Sequence, residues 1–212
     1  MYDRVAVKER AKEVVRGHQG TCICAFILYA ALSGAAGAAS LGLGALLLEP
    51  PLLAGLSLFF LHAWRGKRPR VESLFSMFKR YSQSLVGILW MRLFTMLWSF
   101  LFVIPGIVKA MAYSMIPYLL ADYPDLEPRK ALRVSMIITD ERKAEIFVMY
   151  LSFAGWAILS CLTFGILLFV YAGPYMNTAF AGMYEELLQD AMERGTITEE
   201  DLVGEGAKRY GL

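Results

Sequence analysis

The chain has 212 residues, 57% of them hydrophobic and 19% charged, with a mean hydropathy of +0.48. A soluble domain usually carries about a quarter charged residues and roughly 45–50% apolar ones, so this composition argues against an ordinary soluble domain. The net charge of +2 gives no argument for a nucleic-acid partner. The apolar residues lie in blocks long enough to cross a hydrocarbon core of roughly 30 Å as helices.

Basic clusters separate the apolar blocks. Residues 1–20 are predicted to form a basic amphipathic helix, and further clusters follow at residues 65–80, at residues 129–143 and in the tail. Short basic loops of multi-pass proteins face the cytoplasm. We therefore predict a cell-membrane protein with both termini cytoplasmic and a transmembrane domain, residues 21–187, of about six helices.

The apolar blocks pair into three predicted hairpins, at about 21–64, 82–121 and 144–184. The fold class is therefore all-α, a polytopic membrane helical bundle. Glu49-Pro50-Pro51 is expected to break the first hairpin, Pro105-Gly106 to form the second bend, and Thr163 and Gly165 to mark the third. Residues 52–64 measure only about 20 Å as a helix, so this arm either spans a thinned bilayer or is re-entrant.

Amphipathic basic segments precede each hairpin, at residues 5–15, 71–81 and 128–138. The third segment begins with Asp125 as a cap and Pro128 in its first turn, and it is predicted to lie at the cytoplasmic interface. The tail, residues 188–212, is acidic and is predicted to be solvated, with a short helix capped by Thr198.

Arg92 is the strongest candidate for a functional side chain. It lies about twelve residues from the second bend, which is roughly 18 Å and close to mid-membrane. A charge at that depth costs about 2.5–3.5 kcal/mol, so it should face the bundle interior or water. The predicted partners are the carbonyls of Tyr113 and Val170, which Pro117 and Pro174 leave without their helical donors. Arg92 either binds an anionic headgroup or solute, or ties kinked helices together.

Small residues recur every fourth position at Gly34, Ala38 and Gly42. This spacing allows close approach of two helices. The face is expected to pack either within the monomer or against another copy or a membrane partner, and the sequence does not decide between these.

Other charged residues have structural interpretations. Lys109 is expected to reach the outer interface, while Asp122 and Glu145 are expected to pair with basic residues of the third loop. Known catalytic signatures are missing, and Cys22, Cys24 and Cys161 lack the histidines of a zinc site. We predict no catalytic residue, no cofactor and no metal site.

Several motifs resemble one family when taken in order. They are Ile104-Pro105-Gly106-Ile107, Tyr113-Ser114-Met115, Ala121-Asp122-Tyr123-Pro124, Leu151-Ser152-Phe153-Ala154-Gly155-Trp156, Gly165-Ile166 and Gly173-Pro174-Tyr175. Together they resemble the bacterial integral membrane family called domain of unknown function 975. The resemblance implies a multi-helix bacterial membrane protein and brings no established activity or substrate.

Two functions remain open at this point. The first is a non-enzymatic protein that binds or moves a lipid, a peptide or a small anion, which a cavity reaching Arg92 would favour. The second is a structural, accessory or immunity-type protein that acts through helix packing and partner binding, which a packed interior with an exposed small-residue groove would favour. The ligand, the oligomeric state and the choice between transport and scaffold stay undetermined by the sequence.

Overall fold

The computed structural model describes residues 4–202, and these residues form helices and turns without strands. The rest of the predicted tail, residues 203–212, lies outside the described residues, as do residues 1–3. The helices are α1 Arg4–Gly17, α2 Gln19–Ala39, α3 Leu43–Trp64, α4 Ser73–Ser76, α5 Tyr81–Leu101, α6 Val103–Ala112, α7 Ile116–Asp122, α8 Pro128–Ile138, α9 Lys143–Leu162, α10 Gly173–Glu193 and α11 Glu199–Leu202.

Four helical stretches are long and apolar enough to cross a membrane by length and composition: Gln19–Ala39, Leu43–Trp64, Val103–Asp122 and Asp140–Leu162. The all-α prediction is therefore confirmed for the described residues, and these four stretches are compatible with a membrane protein. The buried core lies mainly among α3, α7, α8 and α10, whereas α2, α5 and α9 expose many large apolar side chains. Such surfaces fit contact with lipid better than contact with water.

The first hairpin turns earlier than predicted. Leu41 and Gly42 adopt left-handed backbone conformations, with φ of 51° and 96°, and reverse the chain between α2 and α3. The predicted break at Glu49-Pro50-Pro51 is wrong, since α3 continues through it for 22 residues. Residues 52–64 are thus the second half of a helix about 33 Å long rather than a short separate arm.

The two prolines are tolerated within α3 partly because a distant side chain replaces a lost hydrogen bond. Pro51 cannot donate to the carbonyl of Leu47. The Tyr81 hydroxyl, at the start of α5, donates to that carbonyl at 3.1 Å. Continuity of α3 therefore depends on a tertiary contact that no local sequence signal contains.

The second hairpin also turns before its proline. α5 ends at Leu101, Phe102 is extended, and α6 begins at Val103, so Pro105 lies in the first turn of a helix rather than at the bend. Proline is tolerated there because first-turn N–H groups have no intrahelical acceptor. The returning arm is divided into α6 and α7, with Pro117 in the first turn of α7.

The third hairpin bends where predicted. Phe164 and Gly165 adopt positive φ angles of 51° and 82° between α9 and the returning arm. That arm starts with a π turn over Leu168–Ala172, in which the Gly173 N–H donates to the Leu168 carbonyl. The wider turn comes directly before Pro174, which cannot donate to the carbonyl four residues earlier.

The amphipathic segments before the second and third hairpins pack onto the bundle. Residues 71–81 form α4 and a 3₁₀ turn, and α4 approaches α3 so closely that a Cβ on Gly55 would lie 2.1 Å from the Leu74 carbonyl oxygen. Helix α8 spans the predicted amphipathic segment, but its N-cap is Glu127 rather than the predicted Asp125. Its Ser135 hydroxyl donates to the Ala112 carbonyl at 2.7 Å.

The described part of the tail is packed rather than solvated. Helix α10 continues across the predicted boundary at 187–188 to Glu193, and Leu188, Ile197 and Leu202 are buried. Thr198 directly precedes α11, and its N–H and hydroxyl both donate to the Asp201 carboxylate in the first turn at 3.0 and 2.9 Å. These bonds lower the pKa of Asp201.

Candidate functional site

Arg92 forms an ion pair with Glu49. Its Nη2 donates to Glu49 Oε1 at 2.7 Å, and the Tyr29 hydroxyl lies 3.3 Å from the same oxygen. The side chain of Arg92 is 34% exposed and that of Glu49 is 25% exposed. The pair joins α5 to α3, and Tyr29 adds α2.

This partner differs from the predicted backbone carbonyls. The Tyr113 carbonyl accepts the Ile116 N–H at 3.2 Å in the turn between α6 and α7. Val170 and Pro174 lie on the third hairpin. Glu49 was not predicted as the partner because the sequence Glu49-Pro50-Pro51 indicated a helix break. A carboxylate within an apolar block, at a distance from the basic loops, was the signal that could have identified it.

The ion pair lies away from the hairpin tips. Arg92 is ten residues before Phe102, or roughly 15 Å along the helix, and Glu49 is seven residues after Gly42, or roughly 10 Å. Two opposite charges stabilise each other where water is scarce. Removal of either charge would leave the other unpaired, which costs free energy. Glu49 can therefore hold Arg92 in place without a ligand.

A cavity of about 440 Å³ reaches Arg92 from the side of α6, α7 and α9. Its lining includes the polar side chains of Thr95, Ser99 and Ser114 and the apolar side chains of Met91 and Met96. A smaller cavity of about 140 Å³ lies next to it, and Ser114, Pro117 and Tyr150 belong to the lining of both. The smaller cavity adds Ser57, Tyr118 and Asn177.

A second ion cluster joins the C-terminal ends of α3 and α7 to the middle of α10. Arg65 donates to both carboxylate oxygens of Asp122 at 2.6 Å and also pairs with Glu185 through Nε. The hydrogen bonds with Asp122 are the main cause of a raised pKa of Arg65. The prediction that Asp122 pairs within the third loop is wrong, whereas Glu145 does pair there, with Arg142 at 2.8 Å.

Aromatic rings connect the smaller cavity to this cluster. Tyr118 lines the cavity and its ring stacks on that of Tyr184, with centroids 5.8 Å apart. The Tyr184 hydroxyl donates to Asp122 at 3.2 Å. Two stacked tyrosines therefore lie between the smaller cavity and the Arg65 cluster.

The small residues do not all share one interface. Gly34 has open space where a Cβ would lie, Ala38 is exposed, and Gly42 belongs to the turn. The close contact between α2 and α3 is made by Gly44 instead, where a Cβ would lie 2.6 Å from the Ala36 carbonyl oxygen. Packing of Gly34 and Ala38 against another chain stays a prediction.

Lys109 contacts aromatic rings, with its Nζ 5.4 Å from the Trp98 centroid and 5.7 Å from that of Tyr113. Cys22 is buried, while Cys24 and Cys161 are exposed thiols. Between residues 4 and 202, no group of three or more His, Cys, Asp or Glu side chains could hold a metal ion.

The fold and the site together define the class of protein. It is all-helical over the described residues, several of its helices are long and apolar enough to cross a bilayer, and ion pairs join them. Residues 100–191 match the model of a family described as protein of unknown function DUF975. This match confirms the resemblance that the motifs between Ile104 and Tyr175 indicate. No curated protein and no solved structure matches the chain.

Proposed function

We propose that this chain is a non-enzymatic membrane protein with six transmembrane helices, which binds an amphiphilic ligand in the cavity beside Arg92. The four apolar stretches supply four of the crossings. The 21 residues of α5 supply a fifth, about 31 Å long, and the arm that leads into α10 supplies the sixth. Both termini and the basic loops then lie on the cytoplasmic side.

The hairpin tips support this topology. Leu41, Phe102 and Phe164 are 100%, 68% and 97% exposed at the three turns. The three turns carry no Lys or Arg, whereas the opposite ends of the helices carry the basic clusters. By the positive-inside rule, turns without Lys or Arg lie at the outer face of the membrane, and helix ends with basic clusters lie at the cytoplasmic face.

Cysteine labelling tests the topology. In a variant without the native cysteines, Leu41→Cys and Phe164→Cys should react with a membrane-impermeant maleimide in intact cells. Arg68→Cys, in the second basic cluster, should react only after permeabilisation and serves as the matched control. Labelling of Arg68→Cys in intact cells would contradict the proposed orientation.

The cavity that reaches Arg92 is the observation that carries the functional proposal. Small-molecule sites are concave and mostly apolar, with a few polar groups that orient the ligand. Here Met91 and Met96 give adaptable apolar contacts, while Ser99, Ser114 and Arg92 offer polar ones. A lipid or a lipid-like anion combines both kinds of surface.

Filling the cavity should remove the ligand. Ser114 lines both cavities. Its hydroxyl donates to the Met111 carbonyl, and we expect the fold to tolerate the loss of this hydrogen bond in a leucine variant. We expect native mass spectrometry of the detergent-purified protein to show a bound amphiphile that Ser114→Leu reduces about tenfold or more, roughly 1.4 kcal/mol. Ser82→Leu, an exposed position on α5, should leave it unchanged. Equal retention by all three proteins would overturn the site.

One observation favours the second function, a structural or accessory role. The exposed face of α2 carries Ala31, Gly34, Ala35 and Ala38, which is the small-residue spacing of helix association. Crosslinking of Gly34→Cys into a dimer or to another membrane protein, together with an empty cavity, would favour this function over ligand binding.

A further inference from the structure

A row of basic side chains on α1 borders α9 and α10. Arg4, Lys8 and Lys12 follow each other at one-turn spacing and are all half-buried. Lys8 Nζ donates to the Ser152 hydroxyl at 3.1 Å and lies 5.0 Å from the Phe153 ring centroid. Lys12 Nζ lies 5.9 Å from the centroid of Tyr175. Two ammonium groups thus rest on aromatic rings.

The contacts that hold Lys8 and Lys12 are made with neutral groups. Within residues 4–202, the partners found for Lys8 and Lys12 are a hydroxyl and aromatic rings. The two acidic residues of α1, Glu9 and Glu13, are on its exposed face. Burial lowers the pKa of Lys8, and so do the charges of Arg4 and Lys12. An anion placed across the row would relieve this repulsion.

The surface beside the row is apolar. Leu151, next to Ser152 on α9, is 60% exposed, and Phe147 is exposed one turn earlier. An anion bound at the row would therefore have exposed hydrocarbon directly beside it. A phospholipid carries both parts, an anionic phosphate and acyl chains.

We propose that α1 and α9 form a binding site for the headgroup of an anionic phospholipid. The phosphate binds Lys8 and Lys12, Arg4 adds a third positive charge, and the acyl chains lie along the exposed face of α9. Basic amphipathic helices attract anionic lipid in this way. The site rests on the proposed membrane location but not on the cavity beside Arg92, so the two can fail separately.

Competition between two lipids tests the site. Purified protein in mild detergent is titrated with phosphatidylglycerol or phosphatidylcholine of equal chain length, and the adducts are counted by native mass spectrometry. We expect the protein to prefer the anionic lipid. Lys8→Gln/Lys12→Gln should weaken phosphatidylglycerol binding about fivefold for each lysine removed and leave phosphatidylcholine binding unchanged.

Two controls separate this site from general charge and from misfolding. Lys67→Gln/Arg68→Gln removes the same charge from an exposed loop and should keep the preference. Lys8→Arg/Lys12→Arg keeps the charge and should also keep it. Loss of preference in the loop variant, or no loss in the glutamine variant with unchanged circular dichroism, would overturn the site. Displacement of the lipid by inorganic phosphate alone would overturn the lipid as its ligand.

Discussion

Replacement of Glu49 by Gln is expected to destabilise the protein by about 3–5 kcal/mol. The change leaves the guanidinium of Arg92 without its carboxylate. Both side chains are only partly buried, but in the proposed topology their exposed parts face the bilayer interior rather than water, so the loss should approach that of a buried pair. For a chain of this size, 3 kcal/mol corresponds to a melting temperature lower by roughly 6–12 °C. Circular dichroism melting in detergent or nanodiscs measures the shift.

The double variant separates charge pairing from packing. Arg92→Met/Glu49→Met removes both charges, so most of the lost stability should return, because apolar replacements of an ion pair are often neutral. Lys109→Met is a control cation in α6, and loss of its ring contacts should cost only about 0.5–1 kcal/mol. If Glu49→Gln melted like the unmodified protein, the ion pair would not be what holds Arg92 in place.

The same double variant also distinguishes a structural pair from a binding site. If the Arg92→Met/Glu49→Met protein is stable and still binds the amphiphile, Arg92 only joins α5 to α3 and does not bind the ligand. A stable protein without the ligand would place the headgroup contact at this pair. Because Ser114→Leu acts by filling the cavity instead, the two variants test the proposed function by independent routes.

The helices themselves could be predicted because apolar blocks and basic clusters are local features of the sequence. The bounds of α8 followed from Pro128 and the amphipathic pattern, and the third bend followed from Thr163 and Gly165. The first two bends could not be placed in the same way. Proline was taken as a break at Pro50 and Pro105, yet one lies within α3 and the other in the first turn of α6.

The candidate site was predicted in part. Arg92 stands out because a charge inside an apolar block needs a partner. Its actual partner could not be assigned without knowing that α3 is continuous, and that continuity depends in part on the contact between Tyr81 and Leu47. The cavities are formed by residues from four or more helices, so their existence depends on packing that no single segment determines.

Asp122→Asn should be the second most damaging change, with a loss of about 2–3 kcal/mol. Arg65 would keep Glu185 but lose a carboxylate that accepts two parallel hydrogen bonds, and Tyr184 would lose a charged acceptor. The Asp122 side chain is only 12% exposed, so water would replace these bonds poorly. Thermal unfolding of the purified variant measures the loss.

Asp125→Asn is the matched control, since the same substitution three residues later affects a pair that is far more exposed. Arg80 and Asp125 are each 49% exposed, and an exposed pair contributes about 0–1 kcal/mol. Arg65→Lys should behave like Asp122→Asn, because an ammonium keeps the charge but cannot donate in parallel to both carboxylate oxygens. Equal melting of Asp122→Asn and Asp125→Asn would mean that the cluster adds nothing beyond surface pairing. A larger loss in Asp122→Asn, matched by Arg65→Lys, would show that the hydrogen bonds between Arg65 and Asp122 stabilise the packing of α3, α7 and α10.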